Sequence, residues 1–197
     1  MNNQAVDWRP HLPQGAGSEE LFKSFKEKAE ALTVKVIRVA TKEEAERTIL
    51  EEMKGFKVKI AASAPLTLIS TEALNELAQK EEIDLCLDLD QEKIEQADFG
   101  ISEFDIGIAE LGTIVQDAQS VHERLVSTLP PTHLAIIETK TIVDTLFDSL
   151  QVIQKVYNGN PAHYIAYVTG PSKTADIERV LTIGVHGPSK LIIVCIG

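Results

Sequence analysis

Cysteine is nearly absent from this chain: there are two in 197 residues, Cys86 and Cys195, each inside an apolar stretch and with no CxxC spacing. That excludes zinc-finger and iron–sulfur ligand sets supplied by the chain itself, and it predicts two buried thiols acting as small hydrophobes rather than a disulfide. Aromatic residues are also scarce, 5% against 44% hydrophobic overall, so the core has to be built from Ile, Val, Leu and Ala. Basic side chains are outnumbered nineteen to thirty, and the resulting net charge of -11 repels phosphate backbones and anionic headgroups. Neither nucleic acid nor a membrane surface is expected as a partner. No apolar run approaches the roughly 18 to 20 residues that span a bilayer. The opening MNNQAVDWRPHLPQGAG has neither the basic nor the apolar region of a signal peptide, so a cytoplasmic location is expected. Also missing are GxGxxG after a strand, GxxxxGKS, HExxH and GxSxG, and with them the dehydrogenase, nucleotidase, protease and hydrolase templates. Asp84, Asp88 and Asp90 lack the spacing of a calcium loop and read as a solvated strand end, leaving no metal site and no resident cofactor expected.

What is present is alternation of helix and strand. The length modestly exceeds that of a typical domain of about 100 to 150 residues, so residues 1–17 read as an irregular lead-in, pinned by Trp8, and 18–197 as one α/β domain. From Ser18 the apolar residues Leu21, Phe22, Phe25 and Ala29 recur on a helical face, and Thr33 to Val39 follows as a strand. Thr41 with Glu44 opens a helix to about Met53, and Phe56 to Ala62 is the next strand. A helix over Thr71 to Gln79 and a strand over Ile83 to Leu89 continue the pattern. Gly107 and Gly112 interrupt two short apolar runs between Ile106 and Val115, which predicts a tight reversal. After a polar loop and Pro130-Pro131, His133 to Ile137 reads as a buried strand. Thr141 with Asp144 opens a helix, Tyr164 to Val168 is a strand, Thr174 to Ile183 a helix, and Leu191 to Ile196 the last strand. Such alternation implies a three-layer α/β fold, a mostly parallel sheet with helices on both faces.

The densest chemical signal is Thr169-Gly170-Pro171-Ser172-Lys173-Thr174-Ala175-Asp176, read as the junction between a strand and a helix at the carboxyl edge of the sheet, where open α/β sheets bind ligands. Gly170 permits close backbone approach, Ser172 or Thr174 can cap, and free N–H groups with Lys173 favour a small anion; Asp176 already occupies the positive end of the helix and can instead accept from a ligand hydroxyl. An ordinary capped turn uses the same residues. His186, between Val185 and Gly187 and followed by Pro188, can serve as general acid/base or simply bond a helix end. Glu110, beside Gly112 and Thr113, is a carboxylate in an apolar stretch and is either paired or functional. Arg124, one of few arginines, can clamp a carboxylate bidentately or sit in solvent. His11, His122, His133 and His163 read as structural.

Four ordered stretches carry a resemblance: Phe99-Gly-Ile-Ser102; Ala109-Glu-Leu-Gly-Thr113; Arg124-Leu-Val-Ser127 with Leu129-Pro-Pro-Thr-His133; and Thr169 to Glu178 with Gly184-Val-His-Gly-Pro188. Together, from about residue 97 to the C-terminus, the chain resembles the LUD-domain family. That resemblance implies a fold similar to the NagB/RpiA/CoA-transferase group and a role with iron–sulfur partner proteins in oxidising L-lactate to pyruvate, this chain being similar to the member without cluster-binding cysteines. In this reading a small carboxylate or other anionic ligand binds at the Thr169 to Pro188 edge; the residues themselves, apart from the resemblance, offer Gly112, Thr113, Arg124, Thr169, Gly170, Ser172, Lys173, Thr174, Asp176 and Gly187 as ligand contacts, with Glu110 and His186 as the candidate catalytic side chains. Leu111 departs from the small hydroxyl residue expected between the glutamate and glycine. Two other readings stand beside it: an independent CoA-transferase-like or cyclo-ligase-like enzyme in which Glu110 attacks or deprotonates an acyl substrate, and a small-molecule sensor using the same pocket without turnover. Glu110, Arg124, Ser172, Asp176 and His186 are expected to converge on one pocket.

Overall fold

A computed structural model of the chain describes residues 7–158, 164–175 and 181–197. Hydroxyl caps start the first helices where the sequence places them. Ser18, Thr41 and Ser70 are extended and accept from the backbone N–H of Leu21, Glu44 and Ala73, opening α1 (Glu19–Ala31), α2 (Lys42–Gly55) and α3 (Thr71–Lys80). Between them run β1 (Lys35–Val39), β2 (Ile60–Ser63) and β3 (Asp84–Cys86). A short helix α4 (Gln91–Gln96), capped by Asp90, and a strand β4 (Phe99–Glu103) complete the first half.

The second half is less regular. Strands β5 (Ile106–Ile108) and β6 (Thr113–Asp117) form an antiparallel hairpin, confirming the expected reversal. Gly112 takes φ +64 there, and a Cβ would overlap the Ala29 backbone of α1, so both backbone shape and packing require glycine. Helix α5 (Val121–Thr128), strand β7 (Thr132–Glu138), the two-residue strand β8 (Ile142–Val143), helix α6 (Leu146–Val156) and strand β9 (Ile165–Val168) follow. The chain ends in an antiparallel pair, β10 (Lys173–Ala175) with β11 (Leu181–Ile183), and in β12 (Lys190–Ile196).

The main sheet is six-stranded in the order β1-β12-β7-β4-β2-β3, parallel throughout. Its strands are apolar on both faces, as a doubly covered sheet requires. On one face Ile49 and Met53 of α2 and Leu74 of α3 pack on Ile101, Leu134 and Val194. On the other, Phe22 and Phe25 of α1 and Ile114 of the β5–β6 hairpin pack on Ala135, Ile137 and Ile193. The hairpin belongs to a smaller sheet, β8-β5-β6-β9, and α6 covers its outer side through Val152 against Ile106 and Val115. Trp8 is buried in that same cluster, its ring centroid 5.9 Å from that of Tyr157, which holds the described part of the lead-in, from residue 7 on. The mostly parallel α/β arrangement with helices on both faces is thus present.

Three local expectations are corrected. The stretch from Thr174 to Ile183 is not a helix where the chain is described: Lys173–Ala175 and Leu181–Ile183 pair as strands, Thr174 opposite Thr182, consistent with the β preference of Thr and Ile. The helix expected to open at Thr141 opens at Thr145, where Thr145 and Asp148 form the reciprocal capping box, and Ile142–Val143 are taken by β5 as a parallel strand. The polar loop around Arg124 is helix α5, opened by a capping box of Ser120 and Glu123. Both cysteines are buried free thiols on separate strands, and burial pushes that of Cys195 up to about 12.

Candidate functional site

The candidate residues fall into separate groups. Gly112 and Thr113 close the β5–β6 turn against α1, and the Thr113 hydroxyl lies 2.7 Å from that of Thr169. Gly170 continues along the end of α1, a Cβ there standing 3.2 Å from Leu32 Cβ. Ser172 N–H donates to the Pro188 carbonyl at 2.8 Å, its own carbonyl accepts from Gly184 at 2.9 Å, and Gly187 lies against its side chain. Gly112, Thr113, Thr169, Gly170, Ser172 and Gly187 therefore form one continuous run, with Lys173 and His186 exposed beside it and Thr174 half-buried. Asp176 lies outside the described residues.

That run is on the amino side of the main sheet. The β10–β11 pair leads into the first residue of β12, and Ser189 N–H donates to the Pro131 carbonyl just ahead of β7. The carboxyl-edge position and the helix N-terminus expected for it are both corrected by this connection, because the residues that were to start a helix are in a strand.

Glu110 and Arg124 are turned elsewhere. The Glu110 carboxylate accepts from Leu146 N–H at 2.7 Å, at the start of α6, where a negative charge meets unpaired amides and the positive helix end. Arg124 donates from Nη1 to the carbonyls of Ala118 and Gln119 at 2.8 and 3.2 Å, and its guanidinium lies 4.8 Å from the Tyr164 ring centroid. In the β6–β9 ladder, Ile114 opposes Val168 and Asp117 opposes Ile165. Arg124 thus sits at the Asp117–Ile165 end and Thr169 at the other, so one pocket does not gather all the candidates.

A polar cluster that sequence reasoning passed over lies where β4 leaves the carboxyl edge. Glu103, the last residue of β4, accepts from Thr67 N–H and Oγ1, both at 2.8 Å, and from Leu68 N–H at 2.6 Å. Burial raises its affinity for a proton, and these loop donors oppose the rise. Gln116 donates from Nε2 to the Glu103 carbonyl at 2.8 Å and leaves its buried Oε1 without a partner. Two residues along, Asp105 accepts from Asp117 N–H at 2.8 Å. Burial pushes the Asp105 carboxyl up to about 7; the amide bond pulls the other way, and the nearby Asp117, Glu123 and Glu103 charges add to the rise. The Asp117 carboxylate accepts from the Tyr157 hydroxyl and from Gln119 Nε2, and burial together with that bond holds the phenol proton more tightly than usual. Chemically, this group can take up or release a proton near neutrality. The only trace in the sequence is the pair Glu103 and Asp105 bracketing Phe104 at a strand end, since the partners that matter are distant in the chain.

Deeper in the sheet, Ser102 Oγ lies 2.8 Å from His133 Nε2, both fully buried, and burial lowers the His133 imidazole to about 4. His133 is therefore a neutral, paired core histidine, as its place at a strand start suggested. Among the described residues no group of three or more His, Cys, Asp and Glu side chains is arranged to hold a metal ion, and no helix is long and apolar enough to cross a membrane.

Residues 22–196 match the family model of the LUD domain. Lactate utilization protein C of Bacillus licheniformis is 43% identical over 101 residues, a stretch covering 50% of this chain and only 42% of that relative. Proteins of the same name from Exiguobacterium sp. and Oceanobacillus iheyensis match at 28% over 92% of this chain and 82% of the relative, and at 30% over 89% and 79%. The crystal structure of a DUF162 family protein from Deinococcus radiodurans shares the fold, with a TM-score of 0.65 at 17% identity over 90% of this chain and 97% of that one. With the match running from the first core helix through the last strand, this chain belongs to the LUD-domain family.

Proposed function

We propose that this chain serves lactate utilization as a cluster-free member that works with iron–sulfur partner proteins in the oxidation of L-lactate to pyruvate. The observation that carries this reading is the likeness to relatives named Lactate utilization protein C across most of the chain. Oxidation of L-lactate releases two electrons and two protons, and the electrons need an acceptor. Two buried thiols on different strands cannot supply the thiolate set of a cluster, so in this reading the partners carry the electrons and this chain does not. A small carboxylate or other anion is taken beside the β10–β11 pair, where Lys173 and His186 are exposed in an otherwise acidic chain.

The test is reconstitution. Purified chain is mixed with candidate iron–sulfur partner proteins from the same organism, and L-lactate-dependent bleaching of the cluster absorbance is followed. The expected result is reduction that requires this chain and co-elution of the components on gel filtration. Equal rates with and without the chain would overturn the reading.

A further inference from the structure

Among the described residues three buried side-chain atoms lack a hydrogen-bond partner, and one of them is His122 Nε2. His122 is 8% exposed and shares the sheet-facing side of α5 with Val126. The direction of α5 locates the ring. The helix ends just ahead of β7, whose Thr132 opposes Phe99, so it runs back from the carboxyl edge to the amino edge. It rests on β4 at Gly100, where a Cβ would overlap the Val126 carbonyl. His122, four residues earlier, is one turn of about 5.4 Å nearer the carboxyl ends of the strands.

There the sheet surface is small. Ala62 and Ala64 of β2 and its exit, with Cys86 of β3, form an apolar cluster with Val126, and the Ser102 hydroxyl beside them is engaged by His133. The place is also the topological switch point: from β2 the chain moves outward to β3, whereas from β4 it moves inward to β7. Open α/β sheets bind ligands in that crevice. A buried imidazole nitrogen with no partner costs free energy that a ligand bond recovers.

We propose that His122 is a ligand-binding residue of a small-molecule site at the carboxyl ends of β2 and β4, its Nε2 accepting a hydrogen bond from a ligand hydroxyl. The surroundings select that chemistry. Burial favours the neutral ring, opposed by the negative charges of Glu123 and Asp88, and those same charges disfavour an anionic group against the ring and favour a donor. The inference goes beyond the lactate role, since it concerns any small hydroxyl compound, of which L-lactate is one.

The test uses the full chain with 13C-labelled histidine, the His122 signal being identified by its loss in His122→Gln. Glycerol, L-lactate and its hydroxyl-free counterpart propionate are titrated in. A saturable shift of His122 with a hydroxyl compound, weaker with propionate, is the expected result. A His122 signal unmoved by glycerol and L-lactate, or moved as strongly by propionate, overturns the site. If glycerol moves it and L-lactate does not, the site stands with L-lactate excluded as its ligand, and the lactate reading is decided by the reconstitution; if calorimetry shows L-lactate binding while His122 stays still under both compounds, the site falls and the lactate reading stands. His122→Phe removes the unpaired nitrogen, so it should melt no lower than the parent while binding the hydroxyl probe at least about tenfold more weakly, read on the Ala64 and Val126 methyl signals. Unchanged affinity in folded His122→Phe, or in His122→Leu should the phenyl ring not fit, equally overturns it.

Discussion

Replacing Asp105 by Asn should stabilise this protein, and only above mildly acidic pH. The carboxyl moves from an ordinary 3.8 to about 7 in the fold, because burial and the neighbouring Asp117, Glu123 and Glu103 charges disfavour its ionised form. A folded value above the unfolded one means that the native state holds a proton the unfolded chain releases. The contribution is fully present below about pH 4 and is lost as pH rises through 7. At about 1.4 kcal/mol per tenfold change in proton affinity, the loss has a ceiling of roughly 4 kcal/mol, and relaxation and water entry bring the expected figure to about 1 to 3 kcal/mol. Asn has the shape of the neutral acid and keeps an oxygen to accept the Asp117 amide, now 2.8 Å away. Urea unfolding of both proteins from pH 4 to 8 should therefore give curves that meet near pH 4 and diverge toward pH 8. In thermal scans the gap at pH 8 should be several degrees, since about 1 kcal/mol shifts a chain of this size by roughly 2 to 4 °C. A variant that falls further below the parent in stability as pH rises from 4 to 8 would show that the carboxylate is ionised and needed in the fold, and a difference that does not change with pH would show no shifted titration; either way the account of the cluster would fall.

Arg124→Ala should cost about 1 to 2 kcal/mol in urea unfolding, since it removes donors to two loop carbonyls and the stacking on Tyr164; unchanged stability would return Arg124 to a ligand-clamping role. Ser102→Ala strands a buried imidazole nitrogen and should lose roughly 1 to 3 kcal/mol by the same assay, part of it restored when His133→Phe is added. Gly112→Ala meets both a positive φ and the α1 backbone, so a loss of about 2 kcal/mol or more is expected in thermal unfolding, with Gly55→Ala, a helical position open to solvent, as the neutral or stabilising control.

Short-range chemistry determined a good part of this molecule. Ser18, Thr41 and Ser70 start helices because a hydroxyl cap and an apolar repeat need nothing beyond a few neighbouring residues, and Gly112 turns the chain because its own dihedral angles allow it. The parallel, doubly covered sheet follows from the alternation of such elements, and four motifs pointed to the family. Tertiary structure decided the rest. Ile142–Val143 and Thr174 to Ile183 carry patterns compatible with a helix, and they are strands, where described, because β5 and the second arm of a hairpin were there to pair with them. The sequence leaves Glu110 either paired or functional and Arg124 either a carboxylate clamp or a solvent charge, and in the fold the amide of Leu146 and the carbonyls of Ala118 and Gln119 engage them. Asp105 is an ordinary aspartate until the fold buries it, with the Asp117, Glu123 and Glu103 charges adding to the effect, and His122 holds a buried, unpartnered nitrogen once α5 is packed on β4 at Gly100. Caps and turns are settled by the chain's nearest residues, whereas desolvation, charge repulsion and hydrogen-bond supply depend on atoms that only the folded chain brings near.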